Sequence, residues 1–245
     1  MRMAVGRSDF AKPYGSRVKT GTRARSKKVP RITASGAPDG RSRRSEQTQQ
    51  QILAAAQVEF ADKGLAGARV DVISEVSGVN KQMIYYYYGS KEDLYLAVME
   101  RAYTAMRESE RELNLANLDP LAAIRKLVEF KFDYYAQHPL TIRLLAAENM
   151  QNADYLKKST RLREMHTSLI DALRTVLKAG EKKKQVRPGM DPVQLYFSIA
   201  ALSYFSFSNA PTLSAVFGRN LSDPQELRKR RAHAVELILD HISRR

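Results

Sequence analysis

From residue 46 to the C-terminus, apolar residues recur at the three-to-four-residue spacing of a helix surface, and the breaks between stretches are helix stops and starts rather than strand turns. Ile52, Ala55, Ala56 and Phe60 form the first stripe, which Gly64 and Gly67 close. Val70, Ile73 and Val76 carry a short second helix that Gly78 interrupts. A third follows from Asn80 to Tyr88, and Lys91-Glu92-Asp93-Leu94 opens a long fourth reaching Leu113. Asp119-Pro120, Asp191-Pro192 and Asp223-Pro224 each place an N-cap acid before a proline at the first helical position, where its missing N–H costs nothing. His138-Pro139 ends one helix and starts another, which runs to Met150; a further helix is expected over 153–183. No segment shows sustained strand alternation and no internal repeat is evident. The fold class is therefore all-α, with about nine helices.

The 245 residues suffice for one or two packed domains. Their formal charge of +15 is unevenly placed: residues 1–45 hold thirteen Lys and Arg against Asp9 and Asp39, while the remaining 200 residues hold 28 basic and 24 acidic groups. A segment so basic and lacking apolar periodicity cannot bury enough surface to offset its ordering entropy, so residues 1–45 are expected to be a disordered basic tail that favours polyanions. Its Arg- and Ser-rich, acid-poor composition also fits a transit peptide, and a start codon placed too far upstream is a further alternative. The absence of cysteine excludes disulfides, thiolate catalysis and Cys-based zinc sites. No apolar run reaches the roughly 18–20 residues needed to cross a bilayer, so no membrane partner and a cytoplasmic location are expected. No P-loop, His-Glu-x-x-His or nucleophile elbow occurs, and His138, His166, His233 and His241 are scattered. Catalytic residues, a metal and cofactors are not expected.

Two short helices joined by a tight Gly-containing turn form the helix-turn-helix pattern, whose second helix enters the DNA major groove. The third helix carries four consecutive tyrosines, Tyr85 to Tyr88. Residues advance about 100° each around a helix, so a short helix packed on one side cannot bury all four. Ile84 and Tyr88, four apart, are the natural inward pair, which turns Tyr85, Tyr86 and Tyr87 at least partly outward beside Lys81, Gln82 and Lys91. Exposed phenols among amide and ammonium groups suit DNA: hydroxyls donate to phosphates, rings touch thymine methyls and amides read base edges.

The run from Gly78 through Asn80-Lys81-Gln82-Met83-Ile84, the four tyrosines and Gly89-Ser90-Lys91-Glu92-Asp93-Leu94 resembles the signature of the tetracycline-repressor (TetR) family around its recognition helix, and Phe60, Gly64, Val70 and Ile73 match its spacing upstream. The resemblance is close over residues 48–95. It implies a helix-turn-helix DNA-binding domain over 46–95 and a helical effector-binding and dimerisation domain over 96–245. By position, Lys81, Gln82, Met83 and Tyr86 would face the bases, and Tyr85, Tyr87 and Lys91 the phosphates. The family usually opens its second helix with Thr or Ser where this chain has Ala68 and Arg69. That loses a hydroxyl cap at roughly 1 kcal/mol and offers Arg69 as a phosphate contact instead.

A single helix-turn-helix reads few base pairs, so a homodimer on a palindromic operator in double-stranded DNA is expected. The stripes Leu195, Ile199, Leu202, Ser206 and Leu227, Val235, Ile238, Ile242 on the last two helices are the candidates for its seam. Asn149 shares a helical face with Ile142, Leu145 and Ala146. With Tyr134, Arg143, His166 and Asn209 it makes up a candidate effector pocket. The segment from Asp119-Pro120 to Asp191-Pro192 resembles TetR regulators of catabolic pathways, which implies a small aromatic or heterocyclic effector and a repressor released by it. The fourth helix touches both domains and is the candidate lever between them. The rival reading is a non-specific or architectural DNA-binding protein, for which the tail charge speaks.

Overall fold

Proline in the first turn opens five of the helices, and at two of these an aspartate side chain caps the start as well. The computed structural model describes residues 40–244. Among them ten α-helices follow one another: α1 (Gly40–Gly67), α2 (Val70–Ser77), α3 (Lys81–Tyr88), α4 (Lys91–Glu112), α5 (Pro120–Gln137), α6 (Pro139–Met150), α7 (Thr160–Lys182), α8 (Pro192–Ser208), α9 (Ala210–Phe217) and α10 (Pro224–Ile242). No strand occurs among the described residues, only the isolated bridge between Val186 and Ser243. No described helix is long and apolar enough to cross a membrane. Asp191 and Asp223 cap α8 and α10, each carboxylate accepting the backbone N–H two residues on at 2.8 Å. Asp119, ahead of α5, instead accepts from Lys183 and Gln185 at 3.1 and 3.0 Å and ties the start of α5 to the end of α7.

Three elements depart from the sequence expectation. First, α1 begins at Gly40, so residues 40–45, assigned to the disordered tail, are helical; the rest of that tail, 1–39, lies outside the described residues. The same helix bends at Gly64, whose φ of 62° a residue with a Cβ rarely adopts. Second, α7 starts at Thr160 instead of 153. Buried Glu148 accepts the N–H groups of Tyr155 and Leu156 at 3.0 and 2.9 Å, which holds 151–158 as a corner of turns and one short 3-10 helix (Leu156–Lys158), and Ser159 then caps α7 by accepting from Leu162 N–H. Third, α9 was not anticipated: eight residues between Asn209 and Gly218 are too few to show a period.

Two cores result. The first gathers Ile52, Ala56 and Phe60 of α1, Ile73 of α2, Ile84 of α3 and Leu94, Val98 and Met99 of α4, with Leu144 of α6 closing it. The second gathers Ile124, Leu127 and Val128 of α5, Leu173, Val176 and Leu177 of α7, Leu195 and Ile199 of α8 and Val235, Ile238 and Ile242 of α10. Each such side chain contributes about 1.5–3 kcal/mol on burial. The apolar stripes assigned to the dimer seam therefore lie largely inside the protomer, because α8 and α10 must close this core against α5. α4 bridges the two regions, placing Leu94 to Ala102 in the first core and Met106 against Tyr134, Tyr135 and Ile142.

Candidate DNA interface and buried polar cluster

Gly78 ends α2 with φ of 68°, the left-handed conformation that turns the chain sharply. Ser74 donates to the Val79 carbonyl at 2.8 Å and pins the turn; Asn80 then caps α3 by accepting from the Gln82 N–H at 2.8 Å. Ile84 anchors α3 at 1% exposure, and the opposite face projects Lys81, Gln82, Met83, Tyr85 and Tyr86 into solvent. Tyr86 is 78% exposed, and among the described residues its ring meets only the edge of Tyr87. Tyr88 is half-buried and its hydroxyl donates to the Gln49 carbonyl of α1 at 3.3 Å; burial pushes its phenol up to about 12.

The remaining candidates are more constrained than the sequence suggested. Tyr87 is half-buried against α1, accepting from the Ser45 hydroxyl at 3.3 Å, so the α1 extension covers part of the ring expected to face phosphate. Lys81 pairs with Asp71 of α2 at 2.7 Å, which raises the lysine and lowers the carboxylate from their ordinary pKa values. Lys91 donates to the Ala68 carbonyl at 3.1 Å and so braces the α1–α2 link. Arg69 is exposed at the N-cap of α2 without a capping side-chain bond, its backbone N–H donating to Glu59 at 3.0 Å. All eight candidates thus belong to the α2–α3 unit or the segments flanking it.

The candidate effector residues are not brought together. Arg143 is exposed and pairs with Asp62 across the α6–α1 contact at 2.5 Å. Asn149, expected on an inward face, is exposed at the end of α6, where its side chain still hydrogen-bonds the Tyr204 hydroxyl of α8. Asn209 sits between α8 and α9, its amide donating to the Ser208 hydroxyl at 2.8 Å. Tyr134 is buried and stacks on His138 with ring centroids 4.0 Å apart. Only His166 reaches a polar interior. Its Nδ1–H donates to the Leu162 carbonyl at 2.7 Å, which leaves the Nε2 lone pair facing Arg107 at 3.4 Å. Burial and, secondarily, the guanidinium lower its pKa below the ordinary 6.5.

That interior is a cluster which the sequence reading missed. Arg107 and Glu110 of α4 and Lys131 of α5 are buried to 3%, 4% and 0% exposure. Glu110 takes a salt bridge from each of the two cations, and Arg107 Nη2 donates to the Tyr196 hydroxyl at 2.8 Å. The Lys131 ammonium lies 5.4 Å from the Tyr196 ring centre and 5.8 Å from that of Tyr135. A signal was present: Lys131 interrupts the apolar stripe Ile124, Leu127, Val128, Tyr135 of α5, and a charge at such a position needs partners inside.

A head of one long and two short helices with an exposed aromatic-polar recognition helix, joined to a larger helical bundle, defines a helix-turn-helix DNA-binding regulator. Residues 52–98 match the family model described as bacterial regulatory proteins, tetR family, and residues 120–238 match that of the tetracyclin repressor-like C-terminal domain. The chain belongs to the TetR family and is a DNA-binding transcriptional regulator. It is 37% identical over 185 residues to the HTH-type transcriptional repressor NicS of Pseudomonas putida, spanning 76% of this chain and 87% of that one. It is 32% identical to the HTH-type transcriptional regulator RutR of Escherichia coli, spanning 75% and 84%. Among solved structures, the regulator SCO4942 of Streptomyces coelicolor superposes with a TM-score of 0.61 at 29% identity, covering 81% of this chain and 99% of that one.

Proposed function

We propose that the protein is a cytoplasmic homodimeric repressor that holds a palindromic operator and is released from it by a small-molecule effector. The observation that carries the DNA reading is the outward face of α3. Tyr86, Met83, Gln82 and Lys81 would meet base edges, and Tyr85, the free edge of Tyr87, Lys91 and Arg69 the flanking phosphates. Repression is supported by the NicS relative, which is named a repressor.

The dimer would form on the outer faces of α8 and α10. There Phe197 and Phe205 are 57% and 51% exposed and Leu237 is 44% exposed, beside the exposed Ala201 and His233. Contiguous apolar surface of this kind marks an interface. An effector that favours a recognition-helix spacing unsuited to DNA weakens DNA binding by the factor by which DNA weakens effector binding. α4 is the lever in this scheme; substitutions from Val98 to Met106 that alter neither DNA affinity nor induction would place it elsewhere.

Footprinting on DNA upstream of the protein's own gene, with excess competitor at physiological salt, tests the reading. Protection of an inverted repeat with half-sites about one helical turn apart is the expected result. Loss of all binding to competitor, there and in an unbiased genomic selection, would instead favour the non-specific binder that the basic tail admits.

A further inference from the structure

The buried polar cluster does not balance its charge. Arg107 and Lys131 supply two positive charges, and both salt bridges end on the same carboxylate, Glu110. The groups around them add no negative charge. His166 is held neutral, and burial pushes the Tyr103 phenol up to about 12 and the Tyr135 phenol higher still. The aromatic faces beneath Lys131 offset part of its charge, whereas Arg107 keeps a buried Nε–H with no hydrogen-bond partner among the described residues. A buried cluster with one positive charge in excess is unfavourable unless something completes it.

Arg107 and Glu110 also form one wall of a hollow of about 170 Å³ between α4 and α7. Its remaining lining mixes the apolar side chains of Leu115, Met165 and Leu169 with the polar Asn114 and Ser168, and the exposed Arg111 stands at its edge. A dry cavity of roughly 150 Å³ accommodates a benzene ring, so this one holds about one ring and a small substituent. Arginine forks suit carboxylates bidentately, and a single unmatched buried charge suits one negative charge, not two.

We propose that this hollow binds a small monocarboxylate of about one-ring size. Its carboxylate lies between Arg107 and Arg111, and its ring packs on Leu115, Met165 and Leu169. The inference deepens the effector reading above and rests on it for its regulatory meaning, not for the binding itself.

Calorimetry on the full-length protein with benzoate, cyclohexanecarboxylate and benzamide separates charge from shape. Benzoate and cyclohexanecarboxylate are expected to bind, benzamide at least ten-fold more weakly. Arg107→Met is expected to abolish the benzoate signal. Because that residue is buried, Arg111→Gln is the second variant: it is exposed, and its circular dichroism should stay native while benzoate affinity falls at least five-fold. Equal binding of benzoate and benzamide, benzoate binding unaffected by both variants, or no carboxylate binding at all would overturn the proposal. Operator release, followed separately by fluorescence anisotropy, tells the two readings apart. Carboxylate binding without release supports the anion site and overturns the effector reading. Release by a neutral compound with no carboxylate binding overturns the anion site alone.

Discussion

Single side chains decide how much of the recognition surface is free to act. Asp71 holds Lys81 in the unbound protein, and it also places a negative charge near the DNA. Asp71→Asn is therefore expected to tighten DNA binding several-fold, because it removes a carboxylate that faces the polyanion and releases Lys81 for the base edges; unchanged affinity by fluorescence anisotropy would show that the pair does not limit DNA binding. At Arg69 the structure shows an N-cap with no side-chain bond. Arg69→Thr should raise stability by about 1 kcal/mol in urea unfolding, through a restored hydroxyl cap, while losing one phosphate contact. His166 sets a pH dependence. Its pKa is lowered in the folded state, so the unfolded chain binds the proton more readily. Stability is then intact above the ordinary value of 6.5 and is lost as pH falls through the window between 6.5 and the lower folded value. His166→Gln should flatten the melting temperature across that window; an unchanged slope would assign acid sensitivity to other groups.

At the scale of elements, the parts of the chain with a local cause were legible and those fixed by tertiary contact were not. The three Asp-Pro starts, the Gly78 turn and the inward Ile84 follow from capping, backbone freedom and helical period. The start of α7 was misplaced because the corner before it is held from outside by Glu148 of α6, a contact seven and eight residues away that no period announces. The recognition face was largely readable, since four tyrosines cannot share one buried side. The polar cluster was not, because its members on α4 and α5 meet only once the bundle packs, and the scattered polar residues chosen from the sequence serve as surface pairs or as links between helices. Glu148 yields the prediction at this scale. Glu148→Ala leaves two partly buried backbone N–H groups without their acceptor, at about 1 kcal/mol each. It should lower stability by about 2 kcal/mol in urea and increase proteolysis at 151–158. A loss under 1 kcal/mol would mean that water replaces the carboxylate.

For the whole molecule, the question is how a protomer whose core already consumes the inner stripes of α8 and α10 finds a partner. α8 is apolar on a second face, where Phe197 and Phe205 alternate with Ala201 along one turn-spaced row, and Leu237 with His233 stands on the outer face of α10. These residues contribute little to the protomer's own packing, so charge placed there should separate dimerisation from folding. Phe197→Glu combined with Leu237→Glu is expected to leave the helical circular dichroism and the cooperative melt intact while sedimentation shows a monomer. Its affinity for a palindromic operator should then fall by roughly two orders of magnitude or more, because each protomer engages one half-site alone and loses half of the phosphate contacts. The salt slope should fall in proportion, which distinguishes lost dimerisation from a damaged recognition helix: a damaged helix would erase site preference while keeping the phosphate contacts. A double variant that remains dimeric would move the seam off α8 and α10, and the exposed Val216 and Phe217 of α9 would be the next surface to charge.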